Sequence, residues 1–321
     1  MNNEIIHFYN IIDKQFNDFD KNIIENKIQI PKKDFWIHLD GNNLSIKDKL
    51  EEYGIPDFEI TNTLLAEETR PLFAIHKKGL LIILRGLDKK DANNLDTFSI
   101  RMWIEENKIV SIQKKHLISI DELKNYINDN ENDYTIFNIF FLIIKKVLST
   151  FDEICIEMEE NIDLLEENFL ENNDLSQREK IIEIQKKSIL FRRYLNPQKK
   201  IFSELLNQSG IWLNDEIIFK FREFENQTSI QLDMLNSIRE RSQNVKEEIA
   251  NSFAEKINKN MLVLSIISII FLPLTFLTGL MGSNIGGIPG SSNDLAFWIF
   301  LVILLVISIF QILIFKKLKL I

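Results

Sequence analysis

The residues of this sequence whose types and spacing suit chemistry fall on one line near the C-terminus. Stepping back from Gly282 by three and four residues reaches Gly279, Thr275, Leu272, Ser268, Ser265, Met261 and Asn258. Those steps sum to a seven-residue period, which holds them on one seam of a supercoiled helix. Three are hydroxyl residues in a stretch otherwise made of Ile, Leu, Phe and Val. The same period continues through Ala254, Asn251, Glu247, Asn244, Glu240, Ser237, Asp233 and Ile230, polar or acidic at six of eight places. If helices pack side by side around an axis, this seam lines a lumen, and Asp233, Glu240 and Glu247 become carboxylate rings that concentrate cations. The other reading is the solvated face of a surface helix. A polar seam that runs on through an apolar stretch favours the lumen.

The elements that must position the seam are two apolar runs. Asn260 to Asn293 carries no charged residue, nor does Leu295 to Phe315. Each holds a run of about 20 residues, enough as a helix to span a bilayer core of about 30 Å. The first span is placed at 261–281, the second at 295–315, and between them lies a Gly-rich loop at 282–294. Lys256 and Lys259 precede the first span, and Lys316, Lys317 and Lys319 follow the second, in a basic tail at 316–321. The loop carries only Asp294. The positive-inside rule then puts both termini in the cytoplasm and the loop outside. Residues 1–20 mix charged and apolar types with no signal-peptide core, which agrees with a cytoplasmic N-terminal domain.

Composition narrows the function classes. The chain has 321 residues, 45% hydrophobic and 26% charged, with a net charge of −9, which argues against nucleic acid and favours cations as partners. Cys155 is the only cysteine, so no intrachain disulfide and no cysteine-based zinc site forms. His7, His38, His76 and His116 show no metal-ligand spacing. No phosphate loop, nucleophile motif or His-Glu-x-x-His occurs, so an enzyme is not expected and no cofactor is implied.

The soluble part divides in three. Residues 1–125 read as a mixed α/β domain, with strands at 34–40, 79–85, 97–104 and 108–113 and short helices at 45–53 and 62–68. Residues 126–212 read as a charged helical hairpin. Its Ile136–Ile144 run is too short to span a membrane and reads as a core helix. Ser176-Gln-Arg-Glu179 supplies a capping box for the return arm, and Pro197 and Gly210 mark its far end. A stalk helix at 213–260 starts near Asn214-Asp215-Glu216, whose acids suit the helix dipole. No Pro or Gly lies between Trp212 and Pro273, so one helix of about 65 residues, roughly 100 Å long, enters the membrane unbroken. A helix of that length needs partners, which points to an oligomer.

These residues resemble the CorA/ZntB metal-ion transporter superfamily over nearly the whole chain. Gly282-Ser283-Asn284 matches its Gly-x-Asn signature, usually Gly-Met-Asn in the magnesium channels. Leu272-Pro273-Leu274-Thr275-Phe276-Leu277-Thr278-Gly279 resembles the stretch before it. The departure at Ser283, with Glu68-Thr69-Arg70-Pro71, Leu84-Arg85-Gly86 and Ile100-Arg101-Met102-Trp103, looks like the ZntB branch. The resemblance implies an α+β cytoplasmic domain with a long helical stalk and two C-terminal transmembrane helices, a homopentamer in the cell (inner) membrane, and Zn²⁺ as cargo. It implies that Asn284 meets the hydrated ion at the outer mouth and that Asn258 and Thr275 face the path. It also implies proton coupling, for which the spans offer no evident carrier. The alternatives are a CorA-type Mg²⁺ (Co²⁺/Ni²⁺) channel and, from another class, a non-conducting membrane-anchored sensor or scaffold.

The remaining residues divide between structural and functional readings. Met261 and Leu272 could gate by dewetting. Pro273 is a gating kink or a tolerated membrane proline. Lys316, Lys317 and Lys319 form a basic collar around the stalk or anchor to anionic lipid. Arg70, Arg85 and Arg101 read as structural ion pairs, Trp36 and Trp103 as core, and Trp298 as an interface residue. His38 and His76 are candidates for a regulatory metal.

Overall fold

The computed structural model describes residues 5–11, 15–17, 34–43, 46–55, 57–76, 79–91, 94–115, 117–130, 133–172, 178–208, 214–283, 286, 288, 290, 293 and 295–318. The chain divides into two compact units, Met1–Lys246 and Glu247–Ile321. The Ser176 capping box, Gly210, His116, Asn284, Asp294 and Lys319 lie outside the described residues.

In the first unit, seven strands among the described residues form one sheet. They are β1 (Ile5–Asn10), β2 (Gln15–Asn17), β3 (Phe35–Asp40), β4 (Leu72–His76), β5 (Gly79–Asp91), β6 (Asn94–Glu105) and β7 (Lys108–Gln113). Their order is β2-β1-β3-β7-β6-β5-β4, and only β3 and β7 pair parallel. Three strands are additions to the sequence reading: β1, β2 and β4. The strand expected at 79–85 runs on to Asp91, because β6 pairs with it from Leu80↔Ile104 to Asp91↔Asn94 and so carries the charged residues past Leu87.

Alternation divides the sheet into two faces. Ile37, Leu39, Leu81, Trp103, Val110 and Ile112 form a core with Ile46, Leu50, Tyr53, Ile55, Ile60 and Leu64. The last six lie in and around α1 (Ile46–Lys49) and α2 (Phe58–Leu65). Both helices differ from expectation. After α1 the chain turns to Gly54, whose φ of 81° suits glycine. α2 starts four residues earlier than expected because Asp57 caps it, accepting from Glu59 N. Glycine is also demanded at position 86, where an added Cβ would lie 2.3 Å from Phe98 Cζ.

The remaining helices of this unit are α3 (Ile118–Asp129), α4 (Ile136–Asn172), α5 (Arg178–Leu206) and the first part of α6 (Asp215–Met281). α3 is a further addition, with Ile120, Leu123 and Ile127 buried. α4 opens on a reciprocal cap: Thr135 N donates to Asn138 Oδ1 (3.0 Å) and Asn138 N to Thr135 Oγ1 (3.2 Å). Ile136, Ile139, Phe140, Phe141, Ile143 and Ile144 are all buried, as the core-helix reading required. Pro197 corrects the sequence reading. It sits inside α5 rather than at its end. Leu195 and Gln198 beside it, and Ile201, Phe202 and Leu205 beyond it, are buried, and that packing carries the helix across the missing N–H.

α6 is a single helix of 67 residues. Asn214 caps it, accepting from Ile217 N at 2.9 Å, and Asp215 and Glu216 occupy the first turn. Its early turns pack through Phe221 and Phe224 against Phe140 and Phe141 of α4 and Phe202 of α5. The second unit holds the rest of α6 and α7 (Ala296–Lys317).

Candidate functional site

α6 and α7 are long and apolar enough to cross a membrane. The seam residues of α6, Asn258, Met261, Ser265, Ser268, Leu272, Thr275 and Gly279, are all exposed in the single chain. Ser268, Leu272 and Thr275 line one open groove of about 860 Å³ with Phe271, Pro273 and Phe276. The Ser268 hydroxyl donates to Leu264 O (2.9 Å) and keeps acceptor capacity on its outer side. An added Cβ at Gly279 would meet nothing within 4 Å.

A different stripe of α6 is occluded. Ile266 is buried, and Ile270, Pro273, Leu274 and Leu277 are half-buried. At roughly 100° per residue, this stripe and the seam centre on opposite sides of the helix. α7 shows a matching stripe: Phe315 is buried, while Ala296, Phe300, Leu304, Ile307, Ser308 and Gln311 are half-buried. Gln311 Nε2 donates to Ile269 O across the pair at 3.3 Å. α7 therefore packs on the side of α6 turned away from the seam. Gly282 closes α6 by donating its N–H to Thr278 O (2.9 Å), and Ser283 Oγ donates to Leu280 O (2.8 Å). Trp298, Lys316 and Lys317 are exposed.

In the first unit, Asp233 and Glu240 are exposed on α6, as is Glu247 at the start of the second. Glu240 has Arg239 Nη2 4.0 Å away. The opposite side of the helix is buried at Leu232, Leu235, Ile238 and Val245, and at Ile249 in the second unit, whereas Phe253 and Ile257 of that unit are exposed. Polar side chains missed in the sequence fasten α6 to α4 and α5. Gln231 Nε2 donates to Leu148 O (2.9 Å) and Asp152 Oδ1 (2.6 Å), and Gln185 Nε2 donates to Gln243 Oε1 (3.0 Å). Arg241 bonds both Asp163 and Glu166 of α4, and the Glu166 hydrogen bond raises its pKa above the ordinary value.

Two of the three arginines bond backbone carbonyls among the described residues. Buried Arg101 donates to Leu64 O (3.0 Å) at the end of α2, and Arg85 donates twice to Thr69 O (3.1 and 2.7 Å). A buried guanidinium satisfies carbonyls that no water reaches. Desolvation lowers the Arg101 pKa. Arg70 is exposed. His38 and His76 do not share an ion: they lie on β3 and β4, with β7, β6 and β5 between them. His76 instead faces Asp57 at 3.5 Å, and among the described residues no three metal-ligating side chains cluster. The sequence also concealed a buried group around His38. Its Nδ1 lies 2.7 Å from Ser111 Oγ, which accepts from Trp36 Nε1 at 2.8 Å. His7 stacks on His38 with centroids 6.1 Å apart, and its Nε2 is 2.9 Å from Asp121 Oδ1 on α3.

Known proteins resemble this chain in sequence and fold. The sequence model of a family described as CorA-like Mg²⁺ transporter protein matches residues 32–317. The zinc transport protein ZntB of Yersinia enterocolitica is 28% identical over 273 residues, 85% of this chain and 83% of that protein. The divalent cation transporter CmaX of Pseudomonas aeruginosa is 26% identical over 294 residues, 90% and 88% of the two. The solved CorA magnesium transporter of Methanocaldococcus jannaschii shares the fold, with a TM-score of 0.83, 19% identity, and coverage of 99% of this chain and 98% of that one.

Proposed function

The chain belongs to the CorA-like Mg²⁺ transporter protein family, and from that premise we propose that it carries divalent metal cations, Zn²⁺ foremost, through a pore formed by copies of itself. Members of this family are transporters rather than enzymes. The observation that carries the pore reading is the exposed polar seam of α6, on the side turned away from α7. Copies of α6 packed around that seam, five in the proposed homopentamer, would turn Ser265, Ser268 and Thr275 into stacked hydroxyl rings. Leu272 forms an apolar constriction between two of them and Met261 another on the stalk side of Ser265, both suited to gating by dewetting.

The seam holds no ionisable residue within the span, so it offers water-sized polar contacts rather than a charged cage. A small dication that sheds water reluctantly then crosses with much of its hydration retained. In this reading Asn284 binds the hydrated ion outer-sphere beside Gly282 and Ser283. Asp233, Glu240 and Glu247 form the cytoplasmic funnel, and Lys316, Lys317 and Lys319 the basic collar. Both termini lie on the cytoplasmic side of the inner membrane. Zn²⁺ is preferred as cargo because the motif departs at Ser283 and a zinc transport protein is among the relatives. The family's description supports a Mg²⁺ reading as the second choice. Flux into proteoliposomes, Zn²⁺ against Mg²⁺ with and without an imposed pH gradient, decides between them. Zn²⁺ entry that outpaces Mg²⁺ supports the first, and the reverse order supports the second. A well-folded oligomer that passes neither ion would leave the membrane-anchored scaffold.

A further inference from the structure

Pro273 leaves a gap in the hydrogen-bond ladder of α6. Proline has no N–H, so the carbonyl four residues back, Ile269 O, loses its helical partner. In a lipid layer no water replaces it. Gln311 Nε2 reaches this same carbonyl from α7 at 3.3 Å. Gln311 and Ser308 are the only polar residues from Leu295 to Phe315, and Ser308 bonds within its own helix to Leu304 O (2.9 Å). A glutamine at that depth is costly to insert unless it finds a partner. The Gln311 Oε1 is occluded with no hydrogen-bond partner among the described residues, so the amide's only bond there is the one to Ile269 O.

We infer that Gln311 is a positioning residue for transport: its amide closes the ladder gap left by Pro273 and so fixes the turn that sets Leu272 and Thr275 on the seam. The role in transport rests on the proposed pore reading; the hydrogen bond between the helices does not. Gln311 lies on the α7 stripe facing α6, on the far side from the seam, and acts only through Pro273 and Ile269.

The test is a cycle of Gln311→Met, which keeps length and volume but removes the donor, and Pro273→Ala, which restores an N–H to Ile269 O. The full chain is compared in proteoliposomes for Zn²⁺ flux and in detergent for its thermal unfolding midpoint. Q311M alone should lower the maximal flux roughly three- to fifteenfold, the range of a single interhelical hydrogen bond in a membrane, with half-saturating Zn²⁺ unchanged. In the P273A background Q311M should change flux by less than about twofold. The unfolding midpoint should fall in the first pair and hold in the second. An equal effect of Q311M in both backgrounds would reduce Gln311 to a packing residue and overturn the inference, as would no effect in either. If the wild type passes no dication, the transport reading fails on its own, and the midpoint cycle still decides whether the ladder gap is closed by Gln311.

Discussion

His38 offers a direct test of how the first unit is held together. The side chain is completely buried, with Nδ1 against Ser111 Oγ and its ring on that of His7. Its pKa is lowered from 6.5 to about 4, chiefly by burial and further by the nearby His7. A hydrogen bond with Gln113 and the charges of Asp121 and Asp40 oppose that shift. Between those two values the unfolded chain binds a proton that the folded chain refuses. Folding stability therefore has its full His38 contribution above pH 6.5 and loses it as the pH falls towards 4. At about 1.36 kcal/mol per unit, the loss is about 3 kcal/mol. Urea unfolding of the detergent-solubilised chain, followed by tryptophan fluorescence, reads it. Trp36 donates to the same Ser111 hydroxyl and Trp103 is buried in the same sheet. His38→Gln removes the titration, so from pH 7 to 4 the wild type should lose about 3 kcal/mol more than H38Q. Parallel pH profiles for the two proteins would refute the reasoning, because the proton would then be taken up elsewhere.

Three further predictions test other parts of the molecule. Replacing Asp233, Glu240 and Glu247 with Asn, Gln and Gln should lower Zn²⁺ flux about tenfold at low ionic strength and much less at 1 M salt, where the Debye length is about 3 Å; unchanged flux and pH dependence would sink the acidic funnel. Arg241→Met leaves Asp163 and Glu166 of α4 without their shared cation. The pair is solvent-accessible, so urea unfolding should show a loss of only about 1 kcal/mol, shrinking with added salt. The Cys155 thiol is buried and its pKa is raised to about 12, mainly by burial and further by Asp152 and Glu159. A maleimide at pH 8 should label it only after unfolding, and rapid labelling of the folded chain would contradict its place in the core.

The parts of the fold that the sequence disclosed are those where one physical signal acts alone. α6 was legible because nothing between Trp212 and Pro273 could stop a helix. β3 and β7 were legible because their apolar residues are bounded by turn chemistry. β1 and β2 were not, since their pattern is short and mixed, and the pairing Phe8↔Ile37 that holds β1 is a tertiary fact. α3 begins at Ile118 after Leu117, which offers no side-chain cap, so its start carried no local mark. Pro197 misled because local backbone preference was overruled by buried neighbours. The site divides in the same way. Heptad spacing gave the seam, whereas the bond from Gln311 to Ile269 joins residues 42 apart and leaves no periodic trace.

The polar residues of the two spans show how the circumference of α6 is partitioned. A hydroxyl can sit anywhere on a membrane helix by bonding a carbonyl of its own backbone, as Ser268, Thr278 and Ser308 do. Single hydroxyls therefore carry no argument. Their alignment does. On α7, Ser308 and Gln311 both fall on the stripe turned to α6; Ser308 bonds its own helix, and the Gln311 amide donates to Ile269 O across the pair. On α6, Ser265, Ser268 and Thr275 fall on the opposite side, where all three are exposed and the last two line an open groove. Thr278 alone lies between the two stripes, and the flanks are otherwise Leu, Ile, Val and Phe. Lipid gives no reason to gather hydroxyls on one line, since each bonds its own helix equally well at any angle. A lumen does, because water and a hydrated cation use the lone pairs that backbone bonding leaves outward.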